Sequence, residues 1–304
     1  MFEIIENGTV TSPKGYLAGA TNVGIKTDTD ELDVGILWTN NKDAYCTGVF
    51  TQNSIVSHSV TASRQNINGK LVKGVVANSG CANCGVGEQG LIDAKEVIKL
   101  TSEFLGCDEN NLAICSTGLI GEELPMALIR KNISNIKLSK NDGKEFAKSI
   151  LTTDTKTKEI AVSYEFNGKT ITIGGCAKGV GMIHPNMATM LAFITTDAKL
   201  DNSFQDNILK RIVNGHVKFY INLGSGTDRK GYQFIPKALN KMQGNIVIRK
   251  LSPKNKSYKF IFSSQKKSEL NIDTKFLKAI NIGNIAIGII TIALSALNLP
   301  IIYL

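Results

Sequence analysis

Several common signatures are missing from this chain of 304 residues, and each absence removes a class of function. The glycine-rich stretch Gly174-Gly-Cys-Ala-Lys-Gly-Val-Gly181 lacks the Gly-x-x-x-x-Gly-Lys-Ser/Thr spacing that cradles phosphates, and it opens no evident helix, which argues against nucleotide binding. Histidine is scarce, at three residues, and Cys81-Ala-Asn-Cys84 finds neither a second CxxC nor a His pair to complete four ligands. No metal site and no redox pair are therefore expected. The opening Met1-Phe-Glu-Ile-Ile-Glu6 has no basic n-region and only a short apolar run, so a secretory leader is not expected. The six cysteines (Cys46, Cys81, Cys84, Cys107, Cys115, Cys176) then read as reduced thiols and the first two thirds of the chain as cytoplasmic. No internal repeat or low-complexity tract is visible.

What is present divides by charge. The net charge of +9 hides two regimes: residues 1–200 hold 19 Lys and Arg against 21 Asp and Glu, while residues 201–278 hold 16 against 5. The last 26 residues, Ala279 to Leu304, carry no charged side chain. That tail exceeds the roughly 20 residues a membrane helix needs, and Lys275 and Lys278 flank it. Its Asn, Gly and Pro content leaves a second reading open, a buried or unfolded tail.

Short apolar runs recur through the first two hundred residues, at Val34-Gly-Ile-Leu-Trp38, Gly48-Val-Phe50, Gly74-Val-Val-Ala77 and Leu112-Ala-Ile114, and predict buried strands. Leu91, Ala94, Val97, Ile98, Thr101, Phe104 and Leu105 fall at helical spacing, as do Leu124, Ala127 and Leu128, and Asp142 to Leu151 offers an acidic start to another helix. The alternation in Ile160 to Phe166, the Asn167-Gly168 turn and the return from Lys169 to Gly174 predict a hairpin. Met190 to Thr195 reads as a central buried strand. Strands interrupted by helices indicate a layered α/β architecture.

The chemistry concentrates at Lys178-Gly-Val-Gly-Met-Ile-His-Pro-Asn-Met-Ala-Thr-Met-Leu191, where the Ala188-Thr189 junction lies between a Gly/Pro turn and an apolar run. A threonine released there would carry a hydroxyl and a free α-amine, and that amine, of pKa about 8, can act as base to its own hydroxyl. An ordinary entry into a strand is the competing reading of the same residues.

This segment resembles the nucleophile segment of the glutamate N-acetyltransferase (ornithine acetyltransferase) family of arginine biosynthesis. Further matches stand upstream in family order: Gly15-Tyr-Leu-Ala-Gly-Ala-Thr21, Ala77-Asn-Ser-Gly80 with Gly87-Glu-Gln-Gly90, Cys115-Ser-Thr-Gly-Leu-Ile-Gly121 and Leu151-Thr-Thr-Asp-Thr155. The resemblance covers residues 1–213. It implies a layered α/β sandwich of the ornithine acetyltransferase type, cleavage between Ala188 and Thr189, Thr189 as nucleophile, and Thr117 and Gly118 as oxyanion donors. It places Lys178 and Thr152 at the substrate, with Thr153 the alternative to Thr152 and capping of the preceding helix a further reading of both. The implied substrates are N-acetylornithine and glutamate. No cofactor is implied, acetyl-CoA could serve as a further acetyl source, and the implied assembly is a heterotetramer of two cleaved chains each. His184 reads as loop structure, because the released amine already supplies a base.

The division expected is 1–188 as the piece before the nucleophile, 189–213 as the start of the piece it heads, and 214–304 as a divergent basic segment with an apolar tail. After Ile212-Val-Asn-Gly-His216 the family's later glutamate, asparagine and threonine contacts are not recognisable. Three readings follow: a working acetyltransferase, a catalytically impaired remnant with a replaced second half that could associate with a membrane, or, ranked last, a nucleic-acid surface on 201–278. Few aromatics interleave with the cations there, so no nucleic-acid partner is expected.

Overall fold

The computed structural model describes residues 2–27, 29–67, 71–179 and 190–210, together with the backbone of three strands between 245 and 271. Two four-stranded sheets organise these residues. The first, in the order β2-β3-β4-β5, is made of Tyr16–Thr21, Val34–Thr39, Gly74–Cys81 and Leu112–Leu119. The second, in the order β1-β6-β7-β8, is made of Phe2–Ile5, Lys158–Phe166, Lys169–Lys178 and Leu191–Thr196.

The period-2 alternation of the first sheet feeds a core on each face. Val34, Ile36 and Trp38 of β3, Val76 of β4, and Leu112 and Ile114 of β5 face one way, onto Ala62 of α1 (His58–Ile67) and Ala94, Val97 and Ile98 of α2 (Gln89–Leu105). Leu37 and Ala77 face the other way, onto Phe146, Ala147 and Ile150 around α4 (Gly143–Ser149) and Cys176 of the second sheet. The layers are thus helices, sheet, then α4 with the second sheet. This is the α/β sandwich expected.

The β4 and β5 strands run parallel, which obliges a crossover, and α2 supplies it. Its buried positions Gly90, Ala94, Val97, Ile98 and Thr101 follow helical spacing, and it stops at Gly106, whose φ of 66° lets Cys107 N–H reach Ser102 C=O at 3.0 Å. The hairpin forms as expected: Asn167 and Gly168 have φ of 49° and 72°, the two left-handed residues of a tight turn matched to strand twist. The return strand runs on to Lys178.

Other expectations are corrected. Gly48-Val-Phe50 is not a strand; it lies in an irregular segment where Arg64 donates to Thr51 C=O and sits over the Phe50 ring, so its backbone has no ladder to join. The stripe Leu124, Ala127, Leu128 is displaced: Pro125 starts α3 (Met126–Asn132) after Leu124, and Met126 and Ile129 are the buried residues while Leu128 is exposed. Strand β8 spans Leu191–Thr196 and, among the described residues, lies at the edge of its sheet and is only partly buried, not central. The unpredicted elements include β1, β2 and α1.

Among the described residues no helix is long and apolar enough to cross a membrane. The tail Ala279–Leu304 lies outside them. Within 214–304, Asn245–Lys250, Tyr258–Ser263 and Glu269–Asn271 form an antiparallel three-stranded sheet, β9 to β11.

Candidate active site

The candidate residues that the structure describes meet where β5 and β7 end. Lys178 is the last residue of β7 and is 3% exposed. Its Nζ donates to Thr117 Oγ1 at 3.2 Å and to Thr152 Oγ1 at 2.7 Å. Three of the sequence-predicted residues therefore converge on one ammonium group. Of Thr152 and Thr153, Thr152 is the one that meets Lys178, while Thr153 is exposed. Because each hydroxyl accepts from Lys178, each keeps its own O–H to donate elsewhere.

Gly118 needs to be glycine. Its φ is 142°, and a Cβ there would lie 2.2 Å from the carbonyl carbon and 2.4 Å from the oxygen of Gly80. Gly80 and Gly118 pair in the β4-β5 register, as do Ser79 with Thr117 and Asn78 with Ser116. The strand ends are thus pressed together at the site.

A neutral network pins β5 just before Thr117. Ser116 Oγ donates to Asn78 Oδ1 at 2.6 Å and meets Ser59 Oγ at 2.6 Å, while Asn78 Nδ2 donates to Cys81 C=O at 2.8 Å. Asn83 Nδ2 reaches Ser59 Oγ at 3.3 Å and Gly90 C=O at 2.8 Å. On the other side of Gly80 lies Ile25, in a loop whose amides at Val23, Gly24, Ile25 and Lys26 all donate to the buried Asp33 carboxylate. Four amides on one carboxylate fix that loop's curvature.

A charged group lies on the β7 side. Asp154, with a fully buried side chain, accepts at Oδ1 from the Gly179 amide at 2.8 Å and from Lys158 Nζ. Its Oδ2 is 4.0 Å from Lys178 Nζ. Burial alone would raise the Asp154 carboxyl, but the bonds from Lys158 and Gly179 and the charges of Lys158 and Lys178 carry it below the ordinary aspartate value. Burial lowers Lys178 below the ordinary lysine value, Asp154 offsets part of this, and Lys158 and Lys26 add to it.

Cys115, two residues before Thr117, is pushed up to about 12 by burial, so its thiol stays protonated and is a poor nucleophile. Cys81 and Cys84 are both free and buried, and among the described residues no cluster of His, Cys, Asp and Glu could hold a metal ion. Gly174 to Lys178 are strand residues, in keeping with the lack of a phosphate loop. Ala188, Thr189 and His184 lie outside the described residues.

Sequence reasoning missed Asp154, Lys158, Asn78, Ser116 and Ser59. Asp154, Asn78 and Ser116 stand inside the family motifs, so their position was available; their partners were not.

Comparison with known proteins decides the lineage, because the sequence matches the ArgJ family over residues 17–218. The chain belongs to the ArgJ family. It is 45% identical over 209 residues to the arginine biosynthesis bifunctional protein ArgJ of Dehalococcoides mccartyi, a match covering 68% of this chain and 51% of that protein. It is 44% identical over 214 residues to the glutamate N-acetyltransferase of Methanocaldococcus jannaschii, covering 68% and 51%. The chain thus spans about half the length of the curated relatives it matches. Among solved structures, ArgJ from Bacillus halodurans is similar with a TM-score of 0.58 and 36% identity, covering 62% of this chain and 98% of that one. Ornithine acetyltransferase from Mycobacterium tuberculosis, in complex with ornithine, is similar with a TM-score of 0.57 and 28% identity, covering 63% and 100%.

Proposed function

We propose that this ArgJ family chain carries the acetyl-handling centre of an enzyme that moves acetyl from N-acetylornithine to glutamate. The observation that carries the reading is the convergence of Thr117 and Thr152 on Lys178 Nζ. Lys178 also pairs with Leu191 in the β7-β8 ladder, and Leu191 follows Thr189 by two residues in the sequence, which supports assigning Thr189 to the same centre.

The steps balance without a cofactor. After the Ala188-Thr189 bond breaks, the Thr189 hydroxyl attacks the acetyl carbonyl of N-acetylornithine, and its proton passes to the freed α-amine. The oxyanion is held by the Thr117 hydroxyl and the main chain at Gly118, with Lys178 polarising Thr117. Collapse breaks the amide C–N bond, the amine returns its proton to the leaving nitrogen, and ornithine departs. The acetyl group is then an ester on Thr189. The glutamate amine attacks that ester and restores the hydroxyl. Acetyl-CoA could load the same threonine by the same attack, with a thiol leaving.

The coverage figures support cleavage. The two solved relatives are covered to 98% and 100% by a stretch of 62% and 63% of this chain, whereas the curated relatives are covered only to 51%. The solved chains are therefore short, as pieces ending near the nucleophile junction would be. On this reading the pieces 1–188 and 189–304 stay associated and pair as a heterotetramer.

A second reading is favoured by one observation: the family match stops at 218 while the chain continues to Leu304. In that reading the site lacks the surfaces that bind the amino acids, and exchange is weak or absent even where acylation chemistry survives. Ornithine release from N-acetylornithine with glutamate present separates the two. Robust release that vanishes in Thr189→Ala supports the enzyme and overturns the remnant; no release with an intact fold does the reverse. Mass spectrometry of the same preparations tests cleavage: pieces 1–188 and 189–304 are expected in the parent and only intact chain in Thr189→Ala.

A further inference from the structure

We infer that Asp154 is a positioning residue that holds Lys178 charged and oriented while leaving part of its ammonium group free. The geometry carries this. Lys178 enters a space where its side chain is 4% exposed, and the hydroxyls of Thr117 and Thr152, its hydrogen-bond acceptors there, carry no charge. An ammonium buried against neutral groups would lose its proton readily. The fully buried Asp154 supplies the opposing charge, with Oδ2 at 4.0 Å from Lys178 Nζ.

That separation is close enough for attraction and too long for a hydrogen bond. Asp154 is prevented from swinging onto Lys178 because its other oxygen is held by the Gly179 amide and Lys158 Nζ. Oδ2 itself has no hydrogen-bond partner among the described residues. An ammonium has three N–H donors, and among the described residues the two threonines take two of them. A carboxylate bonded directly to Lys178 would have filled the third. Held back, it keeps the charge in place and leaves one donor for an anionic group on a substrate. This last use rests on the proposed function; the charge effect does not.

Among the described residues the other ionic groups facing Lys178 are Lys158 and Lys26, and both oppose its charge. Lys26 is held away by Leu32 C=O at 2.9 Å and by Glu31. Lys158 is bound to Asp154, so it also spends part of the carboxylate's field. Two substitutions therefore move Lys178 in opposite directions. Asp154→Asn removes the anion and lowers its titration midpoint; Lys158→Met removes a competing cation and raises it.

The test uses the full chain with lysines carbon-13 labelled at Cε, followed by NMR against pH, with Lys178 assigned from its loss in Lys178→Met. The Lys178 midpoint is expected to fall by about one unit or more in Asp154→Asn, the effect of an opposite charge at this range, and to rise in Lys158→Met. A midpoint unchanged in Asp154→Asn, with the remaining spectrum that of the parent, overturns the inference. Should Asp154→Asn fail to fold, Lys158→Met decides: no upward movement overturns it. The readout needs no turnover, so a chain that releases no ornithine can still pass, and an active one can still fail.

Discussion

The two sides of the candidate site solve the burial of polar groups in opposite ways. On the β5 side the network that pins the strand is neutral: Ser59, Ser116, Asn78 and Asn83 exchange hydrogen bonds, and Gly118 lies against Gly80. On the β7 side the contacts are ionic, with Asp154 between Lys158 and Lys178. Neutral networks fix geometry and do not respond to pH. Buried ions set protonation and respond strongly. The proposed mechanism asks for both, an oxyanion held at fixed distance and a lysine kept charged, and the two networks lie against different sheets.

The sharpest way to break the neutral side is Gly118→Ala. The added Cβ would meet main-chain atoms of Gly80, which cannot rotate away, and the φ of 142° is one that L side chains rarely adopt. A loss of about 4 kcal/mol or more, or failure to fold, is expected in urea unfolding. Wild-type stability in this variant would mean that β4 and β5 do not approach as closely as described.

The charged side breaks differently, because its cost depends on pH. Asp154→Asn is expected to cost about 3 kcal/mol near neutrality, since it leaves Lys158 and Lys178 without their counter-charge. The Asp154 carboxyl is depressed on folding. Its contribution is therefore complete above the ordinary aspartate pKa of about 4 and is lost as pH falls through the lower folded value. The stability gap between parent and variant should narrow in acid. Glu159, raised mainly by burial, has the opposite pH dependence but is common to both proteins and cancels in the difference. A gap equal at pH 7 and pH 3 would mean that Asp154 acts through packing alone.

These two sides were unequally legible. The hairpin that ends at Lys178 was readable because Asn167-Gly168 is a local turn signal, and α2 because its apolar spacing is its own. Helix α1 was not readable: its buried positions are Ser59, Ala62 and Ser63, small or polar residues with no apolar stripe. They are buried because Ser63 Oγ donates to Ile114 C=O at 2.6 Å and accepts from Ile114 N–H at 2.8 Å, while Asn66 reaches Leu112 C=O at 2.8 Å. Helix side chains thus satisfy the open edge of β5, a tertiary reason that leaves no periodic mark. Thr117, Gly118, Thr152 and Lys178 were found through motifs, which carry positions. Asp154 stood in the same motif, yet its charge gained meaning only when the end of β7 was seen beside it.

A moderate effect separates geometry from protonation. Ser116→Ala deletes the hydroxyl that joins Ser59 to Asn78 and is expected to cost about 1–2 kcal/mol, the penalty of leaving buried partners unsatisfied. Unlike the Asp154→Asn gap, this cost should be the same at pH 7 and pH 3, and a pH-dependent loss would join the two networks into one.

The smallest effect on the proposed chemistry is expected at Cys115, which lies beside both networks and belongs to neither. Its thiol, raised to about 12 by burial, has almost no thiolate at neutral pH, so a thiol-alkylating reagent should modify it more slowly than Cys107, which is also raised by burial but less strongly. Cys115→Ser keeps the size of the residue but exchanges a weakly polar atom for a hydroxyl packed against the core of Leu37, Ala77 and Phe146. A loss of about 1–2 kcal/mol is expected if the new hydroxyl finds no partner. Under conditions where the folded state persists, whatever ornithine release the parent has should remain. Loss of that release in a folded Cys115→Ser protein would move the nucleophile from Thr189 to the sheet and overturn the threonine mechanism.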